Sequence, residues 1–143
     1  MSVGLTSGDI WTEIGDSDLL HSFFSTICYH LEANNWGSKY PYLQKKLYYE
    51  KLNPEEISHA LDELKDIQIK LASFKPENII WDVEDLTKKP PASFYSQAKA
   101  FNLSNSFKSV NWKNIFDVFY EVLEFCKRRK ISVKIQSKND FLK

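Results

Sequence analysis

The stretch DSDLLHSFFSTICYHLEA, residues 16–33, decides how the rest of the chain is read. Leu20, Phe23, Phe24, Ile27, Cys28 and Leu31 recur three or four positions apart, the spacing that lines one face of an α-helix. Asp16, Ser17 and Asp18 stand before them, and their oxygens can accept the free N–H groups of a first helical turn. The pattern predicts a helix from about Asp18 to Ala33, ending near Asn34-Asn35-Trp36-Gly37.

On the N-terminal side the register changes from helical to alternating. Ser2 to Thr6 alternates roughly, Ser7-Gly8-Asp9 is a turn signal, and Ile10 to Ile14 alternates again until Gly15. Two short strands in a hairpin are expected. On the C-terminal side Ser38-Lys39-Tyr40-Pro41 can start a short helix carrying Leu43, Leu47 and Tyr48. Asn53-Pro54-Glu55-Glu56 is a strong helix start, with a cap, a proline at the first position and two acids in the first turn. Ile57, Ala60, Leu61, Leu64, Ile67 and Leu71 then form the stripe of a long helix ending near Phe74, stopped by Lys75-Pro76.

Asn78 to Val83 reads as a strand, and Lys88-Lys89-Pro90-Pro91 as a loop. Ala92 to Phe107 has no clear period beyond an apolar run around Phe101 to Leu103 that can form a strand. Asn111 can cap a last long helix whose stripe is Ile115, Phe116, Phe119, Val122, Leu123 and Cys126. Ile131 to Ile135 alternates strictly, as a final strand should. This order predicts an α+β fold, a small mixed β-sheet packed against about four helices, in a single domain over residues 1–143.

Length and composition agree. A chain of 143 residues is long enough for one core and too short for two ordinary domains. Its 43% hydrophobic and 15% aromatic content argues against disorder. A secretory leader and a membrane-length apolar run are both absent, so a cytoplasmic protein is expected, with Cys28 and Cys126 as buried reduced thiols. Net charge is zero but unevenly spread. Residues 1–38 hold five acids and no Lys or Arg, whereas residues 86–143 hold 12 bases against 4 acids. The halves either neutralise each other on folding or offer charge to a partner.

Chemistry is hard to find. His21 and His30 are nine residues apart, off the spacing that sets two ligands on one helical face, and His59 stands alone; neither a metal nor a cofactor is expected. The phosphate-binding loop, dinucleotide fingerprint and nucleophile elbow are all missing. Cys28 lies in an apolar stripe, where a thiolate would be costly. Asp82, Glu84 and Asp85 could serve acid–base work in a concave pocket that raises a carboxylate pKa. They could equally be a solvated strand edge, or an acidic contact for a basic partner. Lys127-Arg128-Arg129-Lys130 could bind nucleic acid, but cations at a helix C-terminus already have a structural reason to be there.

The segment Ser22-Phe23-Phe24-Ser25-Thr26-Ile27 with His30-Leu31-Glu32 resembles the signature of the immunity protein 70 family. Glu13-Ile14-Gly15, Gly37-Ser38-Lys39-Tyr40-Pro41, and Trp81-Asp82-Val83-Glu84-Asp85-Leu86 with Pro90-Pro91 are similar to further stretches of that family, in the same order. The family pattern has a Trp-Gly pair after the prolines where this chain has Ala92-Ser93. The resemblance implies a bacterial immunity protein that binds and neutralises a cognate toxin domain in the cytoplasm, is not an enzyme and needs no cofactor. An acidic surface would suit a basic toxin such as a nuclease. The contact residues expected on that view are Asp9, Glu13, Asp16, Trp81, Asp82, Glu84 and Asp85. The alternatives are a small enzyme built on Asp82, Glu84 and Asp85, and a small nucleic-acid-binding module built on the basic C-terminal segment.

Overall fold

The N-terminal hairpin forms as its alternation requires. Strand β1 (Ser2–Ser7) pairs antiparallel with β2 (Ile10–Asp16) across the two-residue turn Gly8-Asp9. Gly8 has φ 63°, a left-handed conformation that a glycine adopts without strain. The computed structural model describes residues 1–92, 94 and 100–143. Strand β3 (Lys134–Ser137) pairs with the free side of β1, giving the order β2-β1-β3. The α+β class is as expected, but both pairings are antiparallel where a mixed sheet was anticipated, because β2 and β3 each run opposite to the central strand.

Of three 15-residue helices, α1 (Ser17–Leu31) and α3 (Ile115–Arg129) pack on the sheet, and α2 (Ile57–Leu71) packs against both of them. A short α4 (Lys138–Phe141) follows β3, with the Phe141 ring stacked 6.3 Å from Trp11. The anticipated stripes are the core. Phe23 of α1 lies at its centre, with ring centroids 5.2 to 5.7 Å from Phe24, Phe107, Phe116 and Phe119. Edge-to-face aromatic pairs add roughly 0.5–1.5 kcal/mol each beyond area burial. Asn53 and Glu56 form the capping box before α2, the Asn53 N–H donating to Glu56 Oε1 at 2.9 Å. Cys28 and Cys126 are free and buried, and burial beside Glu32 pushes the Cys28 thiol up to about 11.

Elsewhere the structure departs from expectation. The short helix after Pro41 is a π-helical turn, Tyr42–Leu47. The cap of α3 is Asn114, whose side chain accepts from the Phe116 N–H at 3.1 Å, because Asn111 is used in a turn before the Lys108–Asn114 bridge. Strand β3 starts at Lys134 rather than Ile131. Lys130 closes α3 at φ 56°, the Ile131 N–H reaches back to the Cys126 carbonyl, and Val133 bridges to Leu52. Phe101 to Leu103 forms turns and no strand. Part of the expected irregular stretch, residues 93 and 95–99, lies outside the described residues.

Candidate interaction surface

The expected strand Asn78–Val83 is the most informative correction. A strand needs a neighbour with a free edge, and among the described residues none lies beside this segment. The polar side chains of α1 supply its hydrogen bonds instead. Ser22 Oγ and Thr26 Oγ1 donate to the Ile80 carbonyl at 2.7 and 3.1 Å, and Thr26 Oγ1 accepts from the Ile80 N–H at 3.1 Å. Ser25 Oγ accepts from the Val83 N–H at 3.1 Å, and His30 Nε2 lies 2.7 Å from the Asn78 carbonyl. Ser22, Ser25 and Thr26 are fully buried, so these bonds satisfy groups that water does not reach.

Tethered this way, the segment becomes a ridge with two sides. Trp81 faces a groove of about 600 Å³ between the start of α1, the end of β2 and the loop before α3. Leu19, Trp81, Phe94 and Val110 line it together with Asp16, Asp18, Lys89 and Lys108. Trp112 completes the rim, 58% exposed, with Val110 47% exposed beside it. Their loop is pinned by backbone bonds from Val110 to Ile14 (2.9 Å), Ser109 to Lys113 (2.8 Å) and Trp112 to Ser109 (2.9 Å). Trp112 has φ 62°, a conformation that costs a bulky residue roughly 1–3 kcal/mol and that gathers at binding sites.

Asp82 turns to the other side. Its Oδ1 takes His21 Nε2 at 3.2 Å and the Glu84 N–H at 2.9 Å, and its Oδ2 meets Lys88 Nζ at 3.4 Å. Burial works to raise its pKa, but these contacts outweigh burial and hold it below the usual carboxylate range. Asp85 is held low too, by the hydroxyl and N–H of Thr87. Both shifts oppose what a general acid at this cluster would need. The carboxyl pushed up, Glu63 to about 7 by burial, accepts backbone N–H groups of Tyr42 and Leu43, away from the groove. His21 spends both ring nitrogens, on Asp82 and on Tyr48 Oη at 2.7 Å, so neither is free for a substrate.

The seven expected contact residues therefore do not form one site. Asp16 and Trp81 share the groove; Glu84 and Asp85 stand on the adjoining ridge; Asp82 is tied inward. Asp9 is at the far tip of the hairpin, about 23 Å away at ~3.3 Å per strand residue. Glu13 alternates with Trp11 on the side of β2 away from Ile14. Sequence reasoning missed Val110 and Trp112, whose signal was negative: two large apolar residues, in a polar stretch, that no stripe claims.

Charge remains available. Among the described residues one ion pair, Lys88–Asp82, joins an acid of residues 1–85 to a base of residues 86–143. Lys127 to Lys130 are exposed, but the aromatics beside them are engaged. The Arg129 guanidinium covers Phe125 at 5.1 Å, Phe119 is fully buried, and Tyr120 bonds Gln68. Bases could not stack on those rings.

Beyond α1, Glu32 anchors the next loop. It is 3% exposed, its Oε1 accepting from the Gly37 N–H at 3.1 Å and Gln44 Nε2 at 2.8 Å, and its Oε2 from the Lys39 and Tyr40 N–H groups at 3.0 and 2.9 Å. Gly37, at φ 78°, lets the loop fold under the Lys45 side chain. Ser22 to Ile27, His30 and Glu32 thus act as core and tether. A family model described as Immunity protein 70 matches residues 5–135. No curated protein and no solved structure matches the chain.

Proposed function

The chain belongs to the immunity protein 70 family, and we propose on that footing that it binds the toxin domain encoded beside it and blocks that domain in the cytoplasm, without catalysing a reaction. The observation that carries the docking face is Trp112, exposed on a pinned backbone at the rim of the groove that Trp81 lines. Large aromatic side chains on a fixed backbone give contact area at little entropic cost and are enriched among residues that dominate binding. We assign the contact to Asp16, Trp81, Glu84 and Asp85, joined by Val110 and Trp112. Asp9 and Glu13 act at longer range, speeding encounter with a basic toxin such as a nuclease, while Asp82 positions the ridge. No helix among the described residues is long and apolar enough to cross a membrane.

The test is co-expression with the protein encoded by the adjacent open reading frame. A one-to-one complex and rescue of toxin-expressing cells are expected, with Trp112→Ala weakening both. Absence of both the complex and the rescue would refute the reading.

A further inference from the structure

Beside the tip of the hairpin, and sharing no lining residue with the groove, is a polar hollow of about 490 Å³. The alternation of the sheet builds it. Thr6 pairs with Lys134 and Gly4 with Gln136, so Thr6, Lys134 and Gln136 share one face, opposite the fully buried Leu5. The bridge between Leu52 and Val133, bonded in both directions at 2.9 and 3.1 Å, brings Lys51 to the same place. Phe141 of α4, stacked on Trp11, lines it too.

Two lysines and one acid, Lys51, Lys134 and Asp9, are the charged groups of the lining, an excess of one positive charge. Neither lysine has an ion pair among the described residues. The acids beside them in the chain are engaged: Glu50 meets Lys46 at 3.8 Å and Asp140 meets Lys143 at 3.4 Å. Glu13 does not line the hollow, and the Trp11 ring crosses over Gly4 to donate its Nε1–H to the Gln136 carbonyl at 3.0 Å. Like charges gathered on one sheet face repel. Neutral donors stand among them. The Thr6 hydroxyl donates to Gln136 Oε1 at 2.7 Å, which fixes the amide and leaves its NH2 group to donate. The Ser132 hydroxyl is on the same lining.

We propose that this hollow binds the phosphate group of a small phosphate ester. Lys51 and Lys134 meet the phosphate oxygens, the Gln136 NH2 group adds a hydrogen bond, and Phe141 lies against the organic part. A phosphate monoester carries close to two negative charges at neutral pH and so matches two ammonium groups, where a carboxylate matches one. The anion replaces repulsion between the lysines with charge-assisted hydrogen bonds. The volume is that of a small-molecule site and exceeds what a bare phosphate fills. The site is independent of the toxin contact.

The experiment is calorimetric titration of the full chain at low salt with adenosine monophosphate, inorganic phosphate and adenosine. The nucleotide is expected to bind, inorganic phosphate to bind more weakly and adenosine not to bind. Lys51 and Lys134 are exposed, so Lys51→Gln and Lys134→Gln are expected to fold, which circular dichroism checks. Each is expected to weaken nucleotide binding about 10-fold, while Lys65→Gln, an exposed lysine of α2, leaves it unchanged. Bound at ten times its dissociation constant, the nucleotide should raise Tm by roughly 5 °C. No binding up to about 10 mM overturns the proposal, as does equal binding by all three lysine variants and the parent. Adenosine binding as tightly as the nucleotide shows that phosphate is not what is recognised. Inorganic phosphate binding as tightly as the nucleotide overturns the ester. Displacement of the nucleotide by far lower concentrations of a single-stranded RNA shows a nucleic-acid surface in its place. None of these results bears on whether the toxin complex forms.

Discussion

Replacing Glu32 by glutamine tests the tethering logic most directly, because the change conserves shape and alters only charge and hydrogen-bond chemistry. The carboxylate accepts four N–H groups, two on each oxygen, at 2.8 to 3.1 Å. An amide has one acceptor oxygen, so in either orientation its NH2 group faces two donors. Two charge-assisted bonds of about 1.5–3 kcal/mol each are lost. Removing a buried charge returns part of that cost. The net expectation is a loss of about 2–3 kcal/mol. For a chain of this size each kcal/mol moves Tm by roughly 4 °C, so Tm should fall by about 10 °C. Urea unfolding followed by circular dichroism should show a lower midpoint with an unchanged slope. A Glu32→Gln protein within about 0.5 kcal/mol of the parent would show that the Gly37–Tyr40 loop is held by the burial of its aromatic neighbours and that the carboxylate is incidental.

Three further changes probe other links. Thr26→Val keeps side-chain volume but leaves the Ile80 N–H without its partner, and should cost about 1–2 kcal/mol in thermal or urea unfolding. The folded pKa of Glu63, about 7, stands above its ordinary 4.5, so its contribution is fully present below pH 4.5 and is lost as pH rises through 7. Between pH 5 and 8 the stability difference should therefore move in favour of Glu63→Gln. The full shift would be worth about 3 kcal/mol and solvent screening of this partly exposed group reduces that to roughly 1 kcal/mol, measurable as a change in the pH slope of the urea midpoint. Trp112→Gly should release the left-handed strain, raising stability by about 1 kcal/mol or leaving it level, while weakening toxin binding in a pull-down or calorimetric titration.

The sequence made the three long helices and the hairpin legible because their signals are local. Apolar spacing, a capping box and a two-residue turn each act within a few residues. What stayed hidden depends on partners distant in sequence. Asn78–Val83 carries strand-like residues, yet whether it pairs with a strand or with Ser22, Ser25 and Thr26 is decided 54 to 58 positions away. Asn111 and Asn114 both suit a cap, and the choice is made by the Lys108–Asn114 bridge closing the loop first. Strand alternation over residues 78–83 would set Trp81 and Asp82 on opposite sides, and the tethered ridge does so for a different reason.

Glu32 and the buried hydroxyls of α1 have a consequence for how this molecule can change. They spend their chemistry on holding loops, buried from solvent. The exposed side chains of Glu84 and Trp112 bear almost none of that duty. On the proposed role, retargeting toward a different adversary would proceed by swapping a few solvent-facing residues while the framework stays as it is, so diversification of recognition and preservation of foldability would draw on separate sets of amino acids.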